Sequence, residues 1–305
     1  MDITKLVERF NTMTPEQIIT DDEVKRQFVF VHENIFGEGR GLGFYERESH
    51  NFLKWISDNK QDAYRCTRCS FFTTMIDIAV SGLTIERGTQ ALSYLQVGSV
   101  CVGKNERNQK VYEKRVYVII SGYGELEKRI SSGQIKYANN PVIVYDNDEF
   151  SFEEKDGKKS VSYKCILPHA EGVIKAVFIG IHRSDDTIDY SVMLPEDWKR
   201  LEAYSIRNNS YTDQHGQHVT GRANALYNSN NGQIDTGFLI AKCIKKAFRN
   251  YPKCRIAGAI MEAEKDYKIE EEPDYYSMDV PQNETFGPAV ATEGVKVENE
   301  EDDCF

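Results

Sequence analysis

Residues 116–152 read VYVIISGYGELEKRISSGQIKYANNPVIVYDNDEFSF, and this stretch decides the fold. It opens on an apolar, β-branched run, residues 116–120, closed by Ser121-Gly122. Such a run reads as a buried strand. Gly122 and Gly124 make a tight exit from it. A short helix is expected next, with Leu126 and Ile130 on one face and Lys128 and Arg129 turned away from it. Ser131-Ser132-Gly133 ends that helix, because glycine readily takes the left-handed conformation favoured at a helix C-terminus. Residues 141–145 read as a second strand, Asp146-Asn147-Asp148 as a turn and Phe150 as the start of a third strand. The unit is strand, basic helix, hairpin.

The chain has 305 residues, with 40% hydrophobic and 28% charged residues. That is enough for a sizeable core in one or two domains. No run approaches the length of a bilayer span, and the first residues lack the apolar core of a signal peptide. Seven cysteines at irregular spacings suit a reducing cytoplasm better than a disulfide framework. The net charge of −10 is unevenly spread. Residues 262–305 hold fifteen acidic and three basic residues, a net of −12, whereas residues 1–261 carry 35 basic and 33 acidic, a net of +2. The body can therefore meet phosphates, while the acidic, Pro- and Gly-containing tail reads as disordered.

Before the central stretch, Thr14-Pro15-Glu16 signals a helix start, with proline at the first position. Gly37-Glu-Gly-Arg-Gly-Leu-Gly43 is a glycine-rich loop. It could hold an anion on its backbone and Arg40, but it matches no nucleotide-binding pattern and reads first as a flexible loop. Helices are expected over residues 44–56 and 70–80. Cys66-Thr-Arg-Cys69 is a lone C-x-x-C, and His215 and His218 stand apart in a polar loop, so no four-ligand metal set is present. Lys104, Arg107, Lys110, Lys114 and Arg115 form either a solvated hairpin or a phosphate-contacting edge.

After the central stretch, alternating strands are expected over residues 161–167 and 173–181, a further strand over 187–193, and a helix from Pro195. Residues 205–237, rich in Asn, Ser and Gly, read as a long mobile loop. Residues 238–251, FLIAKCIKKAFRNY, make the clearest helix. Ile240, Ile244, Ala247, Phe248 and Tyr251 share an apolar face, and Lys242, Lys245, Lys246 and Arg249 form a basic stripe opposite. No Ser-His-Asp, H-E-x-x-H or nucleotide-binding signature appears. Asp185-Asp186 beside Arg183 reads as surface charge.

Gly122-Tyr123-Gly124, Ser132-Gly133-Gln134-Ile135 and Asp148-Glu149-Phe150-Ser151-Phe152 together resemble the core of the RecT family of phage single-strand annealing proteins. The resemblance spans roughly residues 81–256. The family usually carries one more residue in its Gly-Tyr-x-Gly turn. It also has a basic helix with an Arg-Arg pair, whose place Lys245 and Lys246 take. The resemblance implies an α+β fold, a small antiparallel β-sheet and hairpin core packed with helices. It implies a non-enzymatic protein of phage recombination that binds single-stranded DNA, forms homo-oligomeric rings or filaments and holds an annealed duplex intermediate. Such a protein needs no ATP, magnesium serving at most to assist annealing, and works beside a 5′→3′ exonuclease in the bacterial cytoplasm. The expected division is a helical region, residues 1–60, a DNA-binding and annealing core, residues 61–261, and the tail, residues 262–305.

Annealing needs phosphate neutralisation and an extended strand with its base edges free. The expected phosphate contacts are Lys242, Lys245, Lys246 and Arg249, then Lys128, Arg129 and Lys136, then Lys114 and Arg115. Tyr123 and Tyr137 are the expected stacking platforms. The last residues, with Asp302, Asp303 and Phe305, look like the acidic, Phe-ended tips of single-stranded DNA-binding proteins that dock on host replication proteins. The alternative is therefore a phage protein that protects single strands and recruits such partners.

Overall fold

Thr14 begins a helix as its chemistry requires: its Oγ1 accepts from Gln17 N while Gln17 Oε1 accepts from Thr14 N, a reciprocal cap with Pro15 at the first helical position. The structure, a computed structural model, describes residues 3–253 apart from 107, 109, 170–171 and 213–216. The tail with Asp302, Asp303 and Phe305, and also Arg107 and His215, lies outside the described residues. The chain divides into two units, and the division falls between Glu127 and Lys128.

The first unit holds α1 (Ile3–Asn11), α2 (Pro15–Ile19), α3 (Asp22–Phe36), α4 (Gly41–Asp58), α5 (Lys60–Arg65) and α6 (Arg68–Ser81). A long antiparallel hairpin follows, β1 (Ser93–Lys104) and β2 (Lys110–Ile120). Phe10, Ile18, Phe28, Phe52, Phe71, Met75 and Ile78 are buried in one core that also takes Leu95 and Val116 from the base of the hairpin. The expected boundary near residue 60 is therefore corrected: α5, α6 and the hairpin share the apolar core of the first four helices, and cutting there would expose it. Two hydroxyls of α6 fix β2, Thr74 Oγ1 donating to Val116 O at 2.8 Å and Ser70 Oγ accepting from Val116 N at 3.2 Å. Beyond that anchor Lys104 ends β1, and Lys110, Lys114 and Arg115 lie on β2, with most of the outer half of the hairpin exposed.

The division lies inside α7 (Gly122–Ser131), after which come β3 (Ile135–Ala138), β4 (Val142–Tyr145), β5 (Glu149–Lys155), β6 (Lys158–Lys164), β7 (Ile174–Arg183) and β8 (Ile188–Met193). Then follow α8 (Pro195–Asn208), the short β9 (Tyr211–Thr212) and β10 (His218–Val219), a 3-10 turn (Ala225–Tyr227) and α9 (Thr236–Phe248). The second unit is built on β7. One edge of β7 pairs with β8, and the other pairs with β3 and β4 in tandem, all antiparallel. Ala176 and Phe178 pack under the β5–β6 hairpin, Phe178 lying 5.5 Å from Phe150 and 5.6 Å from Tyr163. Val177, Ile179 and Ile181, the alternate residues, are buried as well, and α8 and α9 pack against the sheet. A strand covered on both faces reads as a continuous apolar run, as residues 176–181 do. The α+β class with antiparallel strands is thus what the structure shows.

Three expectations change. The glycine-rich loop is shorter than its sequence suggests, since Gly41 to Gly43 form the first turn of α4. Residues 205–237 are not a structureless loop: α8 runs to Asn208, and Tyr227 and Ile234 are buried. In α7 Arg129 and Ile130 exchange places, Arg129 being buried and Ile130 38% exposed, while Leu126 and Lys128 are both half-buried.

Candidate nucleic-acid interface

Helix α9 starts where Asp235 Oδ1 accepts from Phe238 N at 2.8 Å. Its basic residues do not share one open face. Lys242 is 6% exposed, with its ammonium 4.7 Å from the Phe238 ring centroid. Lys246 donates to Val192 O at 3.1 Å and to Asp197 Oδ2 at 2.5 Å. Lys245 is half-buried and Arg249 is exposed. The expected stripe is corrected at Lys242, because a helix packed against β7, β8 and β4 buries more than its apolar side.

What converges instead is a concave basic site within the second unit. Lys159 from β6, Asp189 from β8, Arg200 from α8, and Lys246, Arg249 and Tyr251 at the end of α9 line a cavity of about 260 Å³. Asp189 accepts from Lys159 Nζ at 3.3 Å, Arg183 Nη2 at 3.1 Å and Tyr251 Oη at 3.1 Å. Burial pushes its carboxyl up, but Lys159, Arg183 and Tyr251 outweigh that and hold it below the usual range. Asp197 accepts from Leu194 N at the start of α8 as well as from Lys246. Among the described residues, Lys159 and Arg183 pair with Asp189, and Arg200 and Lys246 with Asp197, so that at and beside the cavity five cations, Arg249 included, stand with two carboxylates. The surplus is positive, and guanidinium groups can grip phosphate oxygens through paired N–H donors.

The remaining expected contacts are scattered. Arg129 is 5% exposed, with its guanidinium 4.8 Å from the Phe248 ring centroid, and is corrected from phosphate contact to a part of the packing. Lys128 is half-buried. Lys136 is exposed and pairs with Asp186, an ion pair that water screens. Tyr137 is 49% exposed and stacks on His182 at 4.0 Å, which holds its ring in place. In the first unit, Lys114 and Arg115 stand exposed on β2, and Tyr123 is half-buried, its hydroxyl pushed up by burial. Sequence reasoning missed Lys159, Arg200 and Tyr251 as members of one site and read Arg183 as part of a surface turn. Basic residues spread over 90 positions carry no local signal of convergence.

Metal-ligating groups also meet away from the C-x-x-C. Asp148, Cys165 and His169 bring donor atoms within 4.8 Å of one another. Asp148 already accepts from Tyr145 N at 2.9 Å, Ile166 N at 3.0 Å and His169 Nε2 at 3.1 Å. Those bonds account for the cluster as the fastening of the β4–β5 turn. Cys66 is buried in the first core, and burial pushes its thiol up to about 11.

Comparison with family models, curated proteins and solved structures finds no match for this chain. No helix among the described residues is long and apolar enough to cross a membrane.

Proposed function

We propose that this chain is a single-stranded DNA-binding and strand-annealing protein of the RecT type, acting without ATP. The observation that carries the reading is the cluster of Lys159, Arg200, Lys246 and Arg249 around one cavity, a concave cationic surface with the half-buried Tyr251 in its lining. The three short motifs around Gly122, Ser132 and Asp148 support it by resemblance. Annealing makes and breaks no covalent bond. The protein's part is to neutralise phosphates, to hold a strand extended and to leave its base edges open. Each phosphate contact on a single strand contributes about −0.7 to the log–log salt slope. Three or four contacts at this site give a slope of roughly −2 to −3. Tyr137, half-exposed and braced by His182, suits a stacked base, worth about 1–3 kcal/mol. The protein acts as a homo-oligomer on strands supplied by a 5′→3′ exonuclease.

The test mixes complementary fluorescent and quencher-labelled oligonucleotides with the protein and magnesium, without ATP. Rapid quenching is expected. Arg200→Glu combined with Arg249→Glu should slow it at least tenfold at an unchanged Tm, since both side chains are exposed. Undiminished quenching in that variant moves the DNA site elsewhere. Coating of both strands without pairing favours the protective role, and no binding of either strand overturns the reading.

A further inference from the structure

The first unit contains a second cavity that the annealing reading does not use. It measures about 430 Å³ and lies between α3 and α4. His32, Phe36 and Phe44 form its wall, with the His32 ring 4.8 Å from Phe36 and 4.6 Å from Phe44. His32 is 5% exposed, and its buried Nδ1 has no hydrogen-bond partner among the described residues. That nitrogen is itself shielded, so what His32 offers the cavity is its ring.

Two guanidinium groups line the same cavity. Arg40 is exposed and joins no ion pair among the described residues. Arg47 sits 5.1 Å from the Phe44 ring centroid, its Nε held by the buried Glu48 at 2.7 Å, while its side chain remains 55% exposed. The glycine-rich loop is fixed from below, since Glu33 Oε1 accepts from Gly39 N at 3.0 Å and Gly41 N at 3.2 Å. Gly82 lets Phe36 close against α6: its φ is +64°, and a Cβ there would lie 2.5 Å from the ring. Gly43 lines the cavity, and a Cβ on it would meet nothing within 4 Å. The volume lies within the roughly 300–1,000 Å³ of small-ligand sites. An aromatic wall suits a flat heteroaromatic ring, and two guanidiniums suit a phosphate.

We infer that this cavity holds one nucleotide unit, its base against Phe44 and His32 and its phosphate on Arg40 and Arg47. The choice of a nucleotide among planar anions rests on the annealing reading. The unit comes either from the strand itself or from a free mononucleotide, and the two sources share this chemistry.

The test is equilibrium binding of 5′-dAMP, deoxyadenosine and inorganic phosphate to the full chain, unaltered and as Gly43→Leu. The leucine has room, replaces a glycine in a helix and should leave Tm unchanged or raise it while filling the cavity. Submillimolar binding of 5′-dAMP is expected, at least tenfold tighter than deoxyadenosine and at least tenfold weaker in the variant. Competition by a short oligo-dA assigns the strand as the source; its failure to compete assigns the free nucleotide. No binding of 5′-dAMP by the unaltered chain, or equal binding by Gly43→Leu, overturns the inference. The two readings fail separately. A chain that anneals oligonucleotides and ignores 5′-dAMP loses only this cavity, and one that binds 5′-dAMP without annealing loses only the annealing role.

Discussion

The guanidinium of Arg129 lies over the Phe248 ring, and its Nη2 donates to Phe248 O at 3.5 Å. Lys242 is packed comparably over Phe238. Long cationic side chains bury their apolar stems readily, so their loss is felt as lost packing. Arg129→Ala and Lys242→Ala should each cost roughly 1–3 kcal/mol of stability, read by denaturant unfolding, and leave DNA affinity of the folded protein unchanged. Arg249→Ala should do the reverse, because Arg249 is exposed. Weaker DNA binding by folded Lys242→Ala at full stability would restore the lysine to the interface. His32 makes a pH-dependent contribution. Burial holds its imidazole below the ordinary value of 6.5; the nearby Glu33 pulls it up, and Arg40 and Arg47 push it further down. At pH 6 the unfolded chain therefore binds more protons at this residue than the folded one. Its contribution to stability is complete above about pH 6.5 and is lost as pH falls through the depressed folded value. Tm measured from pH 7 to pH 5 should fall less steeply in His32→Gln than in the unaltered chain, and parallel curves would refute the assignment.

At the scale of elements, α7 shows how a close approach fixes a helix. Gly124 sits where an added Cβ would lie 2.1 Å from Leu92 O, so only glycine lets α7 reach the start of β1. Gly124→Ala should destabilise the protein by about 1–3 kcal/mol or more through overpacking, with a matching drop in Tm. An unchanged Tm would mean that the helix shifts without cost. The other end of α7 follows its local sequence. Gly133 has φ +71°, Gly133 N donates to Ile130 O and Gln134 N donates to Arg129 O, both at 3.0 Å, which is the bond pattern of a glycine-terminated helix. The stop at Ser131-Ser132-Gly133 was therefore readable. The inward face was not, because a ten-residue helix with two glycines offers too few side chains to mark it, and a flat guanidinium over Phe248 competes with Ile130 for the buried position. The β1–β2 hairpin shows the same division. Its apolar base is legible in residues 116–120, whereas the continuation of β2 through charged residues rests on cross-strand pairing from Gly98↔Arg115 outward.

For the molecule as a whole, charge is the property that sequence states most directly. Residues 262–305 carry −12 and the remaining 261 residues +2. On the proposed DNA-binding role, a tethered anion of that size should compete with DNA for cationic surface at low ionic strength. Removing residues from about 270 onward should tighten single-stranded DNA binding several-fold at low salt, with the gain fading as salt screens the tail. Equal affinity at every salt concentration would show that the tail does not compete. The α+β class was expected from the family resemblance; by itself the sequence determined the Thr14 cap, the glycine stop after α7, the existence of the strand at residues 173–181 and the segregation of acid to the C-terminus. Each of these depends on residues close in the chain, through backbone conformation, capping bonds or hydrophobic period. Only the tertiary structure decided which cations face outward. It buried Arg129 and Lys242, tied Lys246 to Asp197, and drew Lys159, Arg200 and Arg249 to one cavity. The physical reason is that exposure and electrostatic convergence are set by what packs against a residue from distant parts of the chain, which no local pattern of sequence encodes.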